Sequence, residues 1–179
     1  IKMSLVRMDP NMEGPFKNIV RVFRDGNLLP IPNRRWQKLP NPKISIIIPM
    51  YNEEKNAKSI IRSLQNQTLQ EIEIICVNDN SNDKTLSILQ SMQKEDPRIE
   101  IITNKTNRGV IYNRIYGALQ SKGEYVTFVD ADDGLCNYDI LTKAYNFATK
   151  EYGEKIDMIH YQSCGCKIKD TGEMEQFCI

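Results

Sequence analysis

Three short polar stretches hold the residue types that could do chemistry: Pro49-Met50-Tyr51-Asn52-Glu53, Asn78-Asp79-Asn80-Ser81-Asn82-Asp83 and Asp130-Ala131-Asp132-Asp133. The last places three carboxylates within four residues. Hard oxygen ligands of this kind suit Mg²⁺ or Mn²⁺, with diphosphate oxygens and water completing an octahedron. An acidic edge alone repels a phosphate, and it becomes a phosphate site only when a divalent cation stands between the two. Helix capping and solvation is the competing reading of such a turn. Asp79 offers a carboxylate that can accept an N–H from a base, uracil N3–H or a guanine N–H, against the plainer reading of a turn cap. Neither G-x-G-x-x-G after a strand nor G-x-x-x-x-G-K-[ST] occurs, so the metal becomes the main expected source of positive charge.

Such groups act together only if the fold gathers them. Apolar, β-branched runs at Ile44–Ile48, Ile72–Val77, Ile99–Ile102, Tyr125–Val129 and Ile156–Tyr161 read as buried strands. Helix-period segments alternate with them. Their expected inner faces carry Ala57, Ile60, Ile61 and Leu64, then Leu86, Leu89 and Met92, then Ile111, Ile115 and Ala118, then Leu141, Ala144 and Ala148. Asp83 is the expected N-cap of the second helix. Strands recur roughly every 30 residues, the length of a βα unit. The fold class expected is therefore α/β, an open, mostly parallel, doubly wound sheet of Rossmann type. Ligands of such sheets bind beyond the carboxyl ends of the strands, which is where all three polar stretches fall. The tail from Lys167 to Phe177, around Asp170-Thr171-Gly172, reads as a hairpin.

Residues 1–42 differ from the rest. Six prolines punctuate them, Asp25-Gly26 reads as a turn, and they are expected to form an irregular, extended arm or stem with one ordered piece near Phe16 to Phe23. Arg34 and Arg35 read as a solvated basic pair beside a packed Trp36. Residues 43–179 then form the domain.

The bulk properties exclude some classes. With 24 basic and 23 acidic side chains the formal net charge is +1, without the basic surplus of a dedicated nucleic-acid binder. No apolar run approaches the ~18 residues of a membrane span, so any membrane association is expected through a segment not present here. Five cysteines at Cys76, Cys136, Cys164, Cys166 and Cys178 fit no zinc or disulfide framework. A single histidine, His160, rules out a multi-histidine metal site, argues against a Ser-His-Asp triad and reads as a packed strand residue.

Four pieces in series resemble the inverting family 2 glycosyltransferases of the GT-A fold: Ile44 to Glu53, Val77 to Asp83, Asn107-Arg108-Gly109 with Arg114 and Gly117, and Gly123 to Asp133. The resemblance covers about residues 43 to 162. It implies a GT-A nucleotide-binding half, with Pro49, Tyr51 and Glu53 lining the nucleotide pocket and Asp79 on the base. It further implies that Arg114 reaches the nucleotide or its phosphates, that Asp130 and Ala131 border the nucleotide-sugar, and that Asp130 and Asp132 are the D-x-D metal ligands with Asp133 close by. The family often has Asp-Asp-Gly-Ser where Asn78-Asp79-Asn80-Ser81 stands, and Ala-Arg-Asn near Asn113-Arg114-Ile115.

The activity implied is transfer of a sugar from a nucleotide-diphosphate donor, a UDP-sugar, to a hydroxyl of a glycan, lipid or protein acceptor, with Mn²⁺ or Mg²⁺ and with inversion. The general base is expected beyond Ile179, in an acceptor-binding half. A setting at a membrane, endomembrane or cytoplasmic face, is favoured over free cytosol. The main alternative is a non-catalytic binding subunit that keeps the fold. An Asp-nucleophile phosphotransferase fits poorly, because its loop normally follows the first strand and carries Thr or Val where Gly134 stands.

Overall fold

The structure, a computed structural model, describes residues 4–7, 36–135, 138–150, 158–160, 164–168 and 174–178. In chain order its elements are β1 (Ser4–Arg7), β2 (Ile44–Met50), α1 (Ala57–Gln65), β3 (Ile72–Asn78), α2 (Thr85–Glu95), β4 (Ile99–Thr103), α3 (Val110–Gln120), β5 (Tyr125–Phe128), α4 (Ile140–Lys150), β6 (Met158–His160), β7 (Cys164–Ile168) and β8 (Met174–Cys178). The expected fold class is the one found. β2 pairs in parallel with both β3 and β5, and β3 pairs in parallel with β4. The six-stranded sheet has the order β4-β3-β2-β5-β1-β6.

Alternation along the strands builds two cores. Ile44, Ile46 and Ile48 of β2 and Ile72, Ile74 and Cys76 of β3 face α1, α2 and α4. Ile47, Ile75, Val77 and Val126 face the opposite way and form a smaller cluster. Every residue of β3 is buried, as a strand covered on both faces requires. Burying one such isoleucine is worth about 1.5–3 kcal/mol, which fixes the register, because a slip by one residue would exchange the two faces.

The inner faces expected for α1 and α4 are those observed: Ala57, Ile60, Ile61, Leu64, Leu141, Ala144 and Ala148 are all buried. On α2, Leu89 and Met92 are buried and Leu86 is half-buried. On α3 the expectation holds in part: Ala118 packs against the smaller cluster and Ile115 is half-buried, but Ile111 is not. Ile111 is 68% exposed, and the fully buried residues are Asn113 and Gly117, of which Gly117 lies against the sheet. The reason is spacing: an added Cβ on Gly117 would overlap Ile47 Cγ2 and stand 3.2 Å from Val77 Cγ2, so only a glycine lets α3 come this close to β2 and β3. Asp83 sits one residue ahead of the α2 cap position, yet its Oδ1 accepts the Thr85 N–H at 2.9 Å and so serves the helix start.

One strand was not read from the sequence. Ser4–Arg7 pairs antiparallel with β5 and with β6, so β6 runs parallel to β5 across it. At the other side of the sheet, Arg98 forms a buried bidentate pair with Asp96, at 3.0 Å through Nε and 2.8 Å through Nη2. The Arg98 guanidinium lies 5.6 Å from the Trp36 ring centre, and Lys38 pairs with Glu100 on β4. The tail strands β7 and β8 pair antiparallel as a two-stranded unit, in keeping with the hairpin reading. The ordered piece near Phe16, the Asp25-Gly26 turn, the Arg34-Arg35 pair and the side chains of Cys136, His160, Cys164, Cys166 and Cys178 lie outside the described residues. Cys76 is a free, buried thiol, and burial pushes its pKa up to about 12, well away from reactivity.

Candidate functional site

Parallel strands end on one edge, and the turns after β2, β3 and β5 meet there. They border a cleft of about 310 Å³ lined by Pro49, Met50, Tyr51, Glu53, Asp79, Asn107, Gly109, Val110, Asn113, Asp130, Ala131 and Asp132. Arg114 lies beside it, its Nη2 donating to Asp130 Oδ1. The residues singled out from the sequence are thus brought to one rim.

The turns have the backbone such a rim needs. Asn52 and Asn80 adopt φ of 57° and 59°, and Gly109 has φ of 82°. Asparagine and glycine tolerate this left-handed region, where most side chains clash. The first two turns are laced together by reciprocal bonds. Asn52 N donates to Ser81 Oγ at 3.0 Å, Asn82 N to Asn52 Oδ1 at 2.9 Å, Glu54 N to Asp83 Oδ2 at 3.0 Å and Lys84 N to Glu54 Oε2 at 3.1 Å. Asp83, Ser81 and Glu54 therefore serve turn and cap geometry, while Tyr51, 46% exposed, and Glu53 remain on the cleft wall.

Asp79 is 2% exposed and heavily bonded. Its Oδ1 accepts Asn104 Nδ2 at 2.7 Å and the Arg108 N–H at 2.8 Å, and its Oδ2 accepts the Gly109 N–H at 2.8 Å. Burial raises its pKa, but the bonds from Asn104, Arg108, Asn113 and Gly109 together outweigh burial and hold it below the ordinary value. Asp79 thus pins the Asn104 to Gly109 loop and the start of α3. Asn104 and Asn113 were missed by sequence reasoning. The Ala-Arg-Asn departure at Asn113 was the available signal.

The acidic turn after β5 is open. The Asp130 side chain is 47% exposed and Asp132 is exposed, both on the cleft. The Asp133 N–H closes the turn on the Asp130 carbonyl at 3.1 Å. Among the described residues no three His, Cys, Asp or Glu side chains cluster as a closed metal cage. Asp132, exposed, and Asp130, held on one oxygen by Arg114, fit a cation of the Mg²⁺ or Mn²⁺ type, which takes few protein ligands and shares the rest with phosphate and water.

Comparison with known proteins agrees with this arrangement. Residues 45–162 match the model of glycosyl transferase family 2. A Campylobacter jejuni GalNAc(5)-diNAcBac-PP-undecaprenol beta-1,3-glucosyltransferase is 42% identical over 95 residues, 52% of this chain and 31% of the relative. An uncharacterized Haemophilus influenzae glycosyltransferase is 38% identical over 128 residues, 72% of this chain and 50% of the relative. The chain thus spans half or less of the length of these relatives. The crystal structure of S. aureus TarS 1-349 in complex with UDP superposes with a TM-score of 0.55 at 34% identity, over 59% of this chain and 31% of TarS. A Pyrobaculum calidifontis mannosyltransferase, at 22% identity and a TM-score of 0.57 over 65% of this chain and 36% of its own, shares the fold. Sequence motifs, sheet order and matched residues lead to one assignment: the chain belongs to glycosyl transferase family 2.

Proposed function

We propose that this chain is the donor-binding part of a metal-dependent glycosyltransferase that takes a UDP-sugar and passes its sugar, with inversion, to a hydroxyl of a glycan, lipid or protein acceptor. Residues 43–179, with Ser4–Arg7 added to their sheet, would form the donor-binding unit, and the rest of residues 1–42 an arm. The observation that carries the reading is convergence: Tyr51 and Glu53, Asp79, and Asp130 with Asp132 come from three separate turns and border one cleft. TarS, at 34% identity, has been solved with UDP and with UDP-GlcNAc, which supports a uridine donor here.

In this reading Tyr51 and Pro49 flank the base and Asp79 takes its N–H. Arg114 turns from Asp130 to the diphosphate when the donor arrives. Asp130 and Asp132 would hold a Mn²⁺ or Mg²⁺ ion, which when bound neutralises charge on the departing diphosphate. The acceptor oxygen forms the new bond to the anomeric carbon as the bond from that carbon to the diphosphate oxygen breaks. The hydroxyl proton goes to a general base that we place in an acceptor-binding half beyond Ile179. Calorimetric titration with UDP, with and without Mn²⁺, tests the reading. Wild-type protein is expected to bind in a Mn²⁺-dependent way and Asp132→Ala to lose that dependence. Unchanged affinity in the variant counts against the metal site.

A further inference from the structure

Asn113 is 1% exposed, lies on the cleft and is held from behind. Asn104 Nδ2 carries two hydrogens and spends both, one on Asp79 Oδ1 and one on Asn113 Oδ1, each at 2.7 Å. Because Asn104 takes the oxygen of Asn113, the NH₂ end of the Asn113 amide is the end left to the cleft, beside Asp79, which the same Asn104 amide holds. A carboxylate offers about four acceptor positions. Asn104 and Arg108 N fill Oδ1, and Gly109 N takes one position on Oδ2. A base N–H must therefore use the rest of Oδ2.

Resting on the donor-site reading above, we propose that Asn113 is a specificity-determining residue. Its NH₂ beside the Asp79 carboxylate presents a donor next to an acceptor, the complement of a base edge in which a carbonyl adjoins a ring N–H. Uracil has that edge. Cytosine has a bare ring nitrogen and an amino group there, so it meets like against like at both positions. A buried polar pair left unmatched rejects the wrong ligand strongly. Asn104 is the positioning residue that fixes which end of the Asn113 amide faces the base.

The test measures affinity of the full chain for uridine diphosphate, cytidine diphosphate and inorganic pyrophosphate in Mg²⁺. Wild type is expected to prefer the uridine ligand. Asn113→Ala is expected to cut the uridine-over-cytidine ratio about tenfold while pyrophosphate affinity stays within about twofold, since one good hydrogen bond is worth roughly a factor of ten. Asn113→Asp, which keeps the volume and loses the donor, should do the same if the alanine variant fails to fold. Wild-type preference for uridine that survives in the folded variant overturns the inference alone. A folded wild type that binds neither nucleotide overturns the donor-site reading and this inference with it.

Discussion

The Arg114 guanidinium donates to Asp130 and ties α3 to the acidic turn after β5. The two side chains are 36% and 47% exposed, and an ion pair this wet contributes less than about 1 kcal/mol to stability. On the proposed function its value lies in the cleft. Arg114→Ala is expected to shift Tm by no more than about 2–4 °C while weakening UDP binding about tenfold. Arg114→Lys should recover only part of that affinity, because an ammonium cannot form the planar fork. Calorimetry and a thermal melt on the same samples separate the two effects.

Asp79 gives a pH prediction. Its folded pKa is held below the ordinary 3.8, so the carboxylate contributes stability that is fully present above 3.8 and is lost as pH falls through the lower folded value. Asp79→Asn should destabilise the protein by about 1–3 kcal/mol near neutrality, because the backbone N–H groups of Arg108 and Gly109 lose a charged acceptor. Urea melts of both proteins across pH should show that gap holding down to about 3.8 and closing below it.

Gly117→Ala sets two effects against each other. Alanine favours a helix interior by about 1 kcal/mol over glycine. Overpacking against Ile47, which sits rigidly in the sheet, costs about 1–3 kcal/mol. The clash should win, giving a net loss of stability with an unchanged m-value. Ile111→Ser, on the exposed side of the same helix, should stay within about 0.5 kcal/mol of wild type.

Ser45 provides a control at the far end of the sheet. Its Oγ donates to Glu73 at 2.6 Å and accepts the Gly123 N–H at 2.8 Å, all buried. Ser45→Ala should cost about 1–3 kcal/mol in denaturation yet leave UDP affinity unchanged, because the cleft lies at the opposite ends of the strands.

The four central strands and the α1 and α4 faces could be read from the sequence because their apolar periods are unambiguous and their partners lie one βα unit away. The three chemical turns were legible for the same reason, since topology puts whatever follows a parallel strand on one edge. The α3 face was legible only in part. Two stripes compete there at helical spacing, and Ile111 turned outward because Gly117 permits the closer approach, while Ala118 stayed on the core. The polar shell behind Asp79 was equally hidden, since Asn104 and Asn113 sit on different elements and meet only through the fold. β1 was missed because a four-residue run carries almost no periodicity, and its partners lie more than a hundred residues away at Val126 and Ile159.

That short strand has a practical consequence. Ser4–Arg7 fills a gap between β5 and β6, satisfying backbone groups on both. A version trimmed to begin at Trp36 would bare two raw ladders of amide and carbonyl groups, an invitation to sticky edge-to-edge pairing between molecules. Shortening this polypeptide to its motif-bearing portion would therefore trade away solubility, and a four-residue peptide at the front works as an internal seal.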